Sequence, residues 1–130
     1  MKDTAVDVLV IDGRRHTTVL LSGELDRLTA PEARRRLRAV VRAADRPLVL
    51  DLSGVSFFDA AGMRTVSAAA EHCAARGTGL AVTGVRPFAA KMFRILGMHE
   101  RITLCGSLDE ALWCLFPPTD EEIEDWLRDG

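Results

Sequence analysis

The chain has 130 residues, of which 48% are hydrophobic and 28% charged, which suits one cored domain and argues against a disordered or low-complexity chain. Its 17 Lys and Arg against 19 Asp and Glu leave a formal charge of -2, too little net charge to attract nucleic acid or an acidic membrane. Met1-Lys2-Asp3-Thr4 lacks a basic region leading into an apolar run, and no stretch is apolar for long enough to span a bilayer, so a cytoplasmic location is expected.

Val6, Val8 and Val10 alternate with polar or less buried neighbours as far as Asp12-Gly13, and after that turn His16 leads into the run Thr-Thr-Val-Leu-Leu, ending at Leu21. The pattern predicts two strands joined by a short turn. Thr29, Pro31 and Glu32 then read as helix cap, first-turn proline and first-turn acid. That helix extends to about Ala44, with Ala33, Leu37, Val40, Val41 and Ala44 inward and Arg34, Arg35, Arg38 and Arg42 mostly outward. Leu48 to Leu52 is a short apolar run expected as a central strand buried on both faces.

From Gly62 to about Arg76, Met63, Val66, Ala70 and Cys73 recur at helical spacing, and Gly77 stands where a helix-ending glycine belongs. Leu80 to Thr83 predicts a strand. Pro87 opens a helix with Phe88, Met92, Phe93 and Leu96 on one face, stopped by Gly97. Ile102 to Leu104 predicts the last strand, and Ser107 caps a helix with Leu108, Ala111, Leu112 and Leu115 inward. The order ββαβαβαβα implies an α/β fold with a mixed sheet and covering helices.

Pro117-Pro118 divides this domain, residues 1–116, from an acidic tail, residues 117–130. Thr119 and Glu122 form a capping-box pattern, and Ile123, Trp126 and Leu127 share one face of a short amphipathic helix. That stripe either packs on the domain itself or docks on a partner. Cys73, Cys105 and Cys114 are odd in number and lack a Cys-x-x-Cys spacing, so they are expected as reduced core residues without a metal or disulfide role.

Three segments fall in a recognisable order: Leu21-Ser22-Gly23-Glu24-Leu25-Asp26, then Leu50 through Asp59-Ala60-Ala61-Gly62-Met63, then Val85-Arg86-Pro87 through Phe93-Arg94-Ile95-Leu96-Gly97-Met98. Together they resemble the STAS domain, and within it the bacterial anti-sigma factor antagonists, over about Val6 to Leu115. The resemblance implies a non-enzymatic protein that binds an anti-sigma factor, often a serine kinase of the ATPase type, and so frees a sigma factor. It also implies a contact surface formed by Asp26, Arg27 and Thr29 with Asp59, Ala60, Ala61, Gly62 and Met63. Asp26 and Thr29 equally fit a purely turn-making role.

The family's usual switch is a serine phosphorylated in an Asp-Ser-Ser-Gly turn. Here the turn reads Asp59-Ala60-Ala61-Gly62, so Ala61 holds the acceptor position without a hydroxyl. A helix N-terminus suits an added phosphate, whose charge near -2 would disturb a close contact. Neither Ser56 nor Thr65 is read as a replacement acceptor. Two consequences follow from the resemblance: an antagonist that its kinase cannot switch off this way, or a scaffold or assembly subunit of a signalling complex.

No catalytic constellation, metal-ligand spacing or Walker sequence is present, and no cofactor is expected. His72 and Cys73 are adjacent on a helix and point about 100° apart. The arginines around Arg34-Arg35-Arg36 have no interleaved aromatics and read as a solvated helix face.

Overall fold

The structure is a computed structural model that describes residues 6–129; the Met1 to Thr4 start lies outside the described residues. Strands β1 (Asp7–Asp12), β2 (Thr17–Leu25), β3 (Leu48–Phe58), β4 (Leu80–Thr83) and β5 (Thr103–Cys105) form one sheet in sequence order. β1 is antiparallel to β2 and the remaining neighbours are parallel. Helices α1 (Ala30–Ala44), α2 (Ala60–Ala75) and α3 (Pro87–Ile95) connect successive parallel strands, with a short 3-10 turn, Met98–Glu100, before β5. α4 (Leu108–Leu115) follows the sheet, and α5 (Asp120–Asp129) forms most of the acidic tail. The architecture is the mixed α/β arrangement that the alternating pattern implies.

The main core lies between one sheet face and α1, α2 and α3. Val19, Leu21, Leu50 and Val82 meet Leu37 and Val41 of α1, Met63 and Val66 of α2, and Phe93 of α3. A smaller cluster on the opposite face joins Val49, Ala81 and Cys105 to Ala111 of α4. Leu48, Val49 and Leu50 are all buried, as a strand covered on both faces requires.

Several local expectations are corrected. β3 runs to Phe58 rather than Leu52, because β2 follows it with two register irregularities, between Leu20 and Ser22 and between Gly23 and Glu24. A Cβ at Gly54 would lie 2.9 Å from that of Ser22, so the close strand approach needs glycine there. α2 starts at Ala60, two residues before Gly62, because Asp59 supplies its cap. Phe88, Leu96 and Leu108, expected inward, are exposed, as is Val10 on the edge strand.

Gly77 and Gly97 adopt φ of +73° and +74° just past their helices, and the Ser107 hydroxyl accepts a hydrogen bond from the Glu110 amide at 3.1 Å. These local signals carry through unchanged. Exposed ion pairs such as Arg35–Glu32 at 2.6 Å add little stability.

Cys73 and Cys105 are buried, whereas Cys114 is exposed, which corrects its placement in the core. Burial pushes the Cys73 thiol above the ordinary thiol value. Cys105 is pushed up to about 11, by burial first and by the neighbouring Cys114 second. A raised folded value favours the neutral thiol, so this contribution to stability is full below the ordinary thiol range and disappears as pH rises toward about 11. Iodoacetamide at neutral pH should therefore label Cys114 and spare Cys73 and Cys105 until the chain is unfolded. Equal labelling of all three in the native protein, read by mass spectrometry, would contradict this packing.

Candidate partner-binding site

Because β2 and β3 are parallel and Leu25 pairs with Phe58, the segments leaving both strands emerge side by side. Gly62 brings them into contact. A Cβ added there would lie 2.9 Å from two Phe58 ring carbons and 3.0 Å from the Leu25 carbonyl oxygen, so the first turn of α2 rests against the end of β2.

The loop after β2 is built by Asp26 and Thr29. Asp26 Oδ1 accepts from the amides of Leu28 at 2.9 Å and Thr29 at 3.1 Å. Thr29 Oγ1 accepts from the Asp26 amide at 3.0 Å and donates to the Glu24 carbonyl at 2.7 Å. Thr29 was expected to cap α1 with its side chain. It makes no such bond, because its backbone is already helical, at φ -93° and ψ -21°, and its hydroxyl turns back to β2. The Asp26 carboxylate caps the entering turn instead. Both residues therefore do at least the turn-making task.

At the second strand end, Asp59 has an extended backbone and its Oδ1 accepts from the amides of Ala61 at 2.9 Å and Gly62 at 3.2 Å. The positive helix end is thus already faced by a carboxylate. A phosphate carried on residue 61 would compete for those amides and meet the Asp59 charge at close range.

Burial separates the expected contact residues into two groups. Arg27, Ala60 and the unanticipated Leu28, which is 75% exposed, face solvent. Asp26 and Asp59 are half-buried, while Thr29, Ala61 and Gly62 are buried beneath them. Met63 is 5% exposed and belongs to the core, so it is corrected from a surface contact to a residue that positions the α2 start. Arg64 is the exposed neighbour. Thr65 is buried and donates to the Ala61 carbonyl at 2.9 Å; exposed Ser56 lies 3.3 Å from the Gly23 carbonyl.

Phe58 also lines a small apolar cleft of about 110 Å³ with Val55, Val85, Arg86 and Phe88. No sequence signal marks this cleft, and helical spacing places Phe88 inward. In the structure Phe88 is 73% exposed at the first turn of α3, on the cleft's rim. Among the described residues no group of His, Cys, Asp and Glu could hold a metal ion, and no helix is long and apolar enough to cross a membrane.

The family model described as "Mlab, STAS domain" matches residues 10–108. The chain belongs to the STAS-domain family. An anti-sigma factor antagonist from Mycobacterium paratuberculosis is 31% identical to this STAS domain, with a TM-score of 0.74 over 85% of this chain and 93% of that one. Bacillus SpoIIAA in the phosphorylated form, described as a cell fate determinant, is 18% identical with a TM-score of 0.60, covering 95% of this chain and 99% of its own. An anti-sigma-factor antagonist (STAS) domain protein from Planctomyces limnophilus is 16% identical with a TM-score of 0.71, covering 83% and 97%. The last two share the fold alone. No curated protein sequence matches this STAS domain.

Proposed function

We propose that this STAS domain is an anti-sigma factor antagonist: it binds a serine-kinase type anti-sigma factor and thereby releases a sigma factor, without switching by phosphate at position 61. The observation carrying the reading is the joined surface of the Asp26–Thr29 loop and the α2 start, with alanine at both positions 60 and 61. Exposed Leu28 and Phe88 supply apolar anchors, and the loop, the start of α2 and the start of α3 carry the exposed Arg27, Arg64 and Arg86, a composition suited to a protein contact. The protein acts by binding and performs no catalysis, in the cytoplasm, and its level or a competing partner controls it.

Tagged protein in extract of its own cells, as wild type and as Ala61→Ser, tests the reading when ATP is added. Both forms should retain a sigma-regulating kinase, and phosphate should appear on the serine form alone. Retention of other STAS proteins or a larger complex by both, with no such kinase, would replace the reading with an assembly subunit, which the two alanines also fit. Leu28→Asp should weaken capture at least tenfold, with a melting shift equivalent to less than about 0.5 kcal/mol, as for an exposed substitution. Unchanged capture would move the contact away from this loop.

A further inference from the structure

The sheet face beneath α4 is only half covered. α4 packs on β3, β4 and β5, while Leu9 pairs with Leu20 and Ile11 with Thr18, and Thr18 in turn with Val49 under α4. Side chains of paired residues share a face. Leu9 and Ile11 therefore project on the α4 side, where none of the described residues covers them, at 59% and 51% exposure, beside half-buried Leu20. The exposed Arg14 and Arg15 close one end of this half-sheet at the β1–β2 turn.

α5 has the complementary character. Its Trp126 and Leu127 are 73% and 66% exposed, and Asp120 to Asp129 holds six acids against the single base Arg128. A helix with a strong apolar stripe needs a surface to cover that stripe. Its own half-sheet does not receive it: Pro118 in the short connection, with Trp113 of α4, lines a cleft against Ile123 and Trp126. The connection holds α5 there, while Leu9 and Ile11 of the same chain stay exposed.

We propose that α5 of one copy docks on the open half-sheet of a second copy, and that the exchange is reciprocal. Trp126 and Leu127 cover Leu9, Ile11 and Leu20, and the acids of α5 approach Arg14 and Arg15. The charge match favours a second copy of this chain, because each copy carries both an acidic apolar helix and an apolar strip with basic residues at its end. A twofold dimer satisfies both pairs at once. It also covers the exposed edge hairpin, which would otherwise invite uncontrolled strand pairing. This surface is separate from the Asp26–Ala61 surface, so the two proposals succeed or fail independently.

Light scattering on the eluting 130-residue chain over a micromolar concentration series should give twice the monomer mass of 14.2 kDa. Trp126→Asp and Ile11→Lys should each halve that mass while leaving the circular dichroism spectrum unchanged; Leu9→Lys replaces the second variant if it fails to fold. Mixing the two monomeric variants should restore dimer, because the intact α5 of one then meets the intact half-sheet of the other. A wild-type protein that remains monomeric throughout, dimers that survive both substitutions, or a mixture that stays monomeric would each overturn the exchange.

Discussion

Phe93→Ala should lower the unfolding free energy by about 3–5 kcal/mol, a large share of the roughly 5–15 kcal/mol that holds an ordinary domain together. The reason lies in how α3 is attached. Phe93 is 0% exposed and is the only buried residue of that helix, whereas Phe88 and Ile95 are 73% and 64% exposed. Its ring lies 5.7 Å from that of Phe58 at an angle of 47°. Removing it leaves a cavity and also frees Phe58, which rests on Gly62 and lines the cleft beside α3. Urea unfolding should register the loss together with a fall of the melting temperature on the order of 10–20 °C. Phe88→Ala, by contrast, should change stability by less than about 0.5 kcal/mol, because it removes little buried contact. Similar losses for both substitutions would mean that α3 is anchored by more than Phe93.

The features legible in the sequence were those set by short-range physics. Gly77 and Gly97 mark left-handed positions after helices, and Ser107 caps α4, because both depend on residues within one turn. The alternation of strand and helix patterns gave the α/β order for the same reason. What was not legible depends on partners distant in sequence. The extension of β3 past Leu52 rests on the close passage of Gly54 by Ser22, and no local signal reports that contact.

Met63 shows two sources of expectation in conflict. Helical spacing placed it in one stripe with Val66, Ala70 and Cys73, while family resemblance placed it on the contact surface. The structure agrees with the stripe, since all four are buried. Phe88 and Leu96 show the opposite failure of periodicity: α3 has nine residues, and its packing through Phe93 leaves both on the open side. Thr29 kept its place at the start of α1 yet gave the capping task to Asp26, a distinction that only the hydroxyl's bond to the Glu24 carbonyl could reveal.

Gly62→Val should do the greatest damage to the proposed partner surface. Gly62 is a helical residue, so its backbone angles do not require glycine; space does. Even a bare Cβ would approach the Phe58 ring at 2.9 Å and the Leu25 carbonyl at 3.0 Å, and valine adds two methyl groups beyond that atom. The ring can turn, but the carbonyl belongs to the paired backbone of β2, so the start of α2 must move away from the strand. Overpacking of this kind costs about 1–3 kcal/mol, leaving most of an ordinary domain's stability in place. The displacement also separates the Asp26 loop from the Asp59 cap, so partner affinity per folded molecule should fall at least tenfold, a further loss of about 1.4 kcal/mol or more. Amide exchange should speed up at Ala61, Gly62 and Met63 with little change at Val49 and Leu50 in the sheet centre. Full affinity with slow exchange at residues 61–63 would mean that β2 yields instead, and that the registration of the two strand ends does not govern binding.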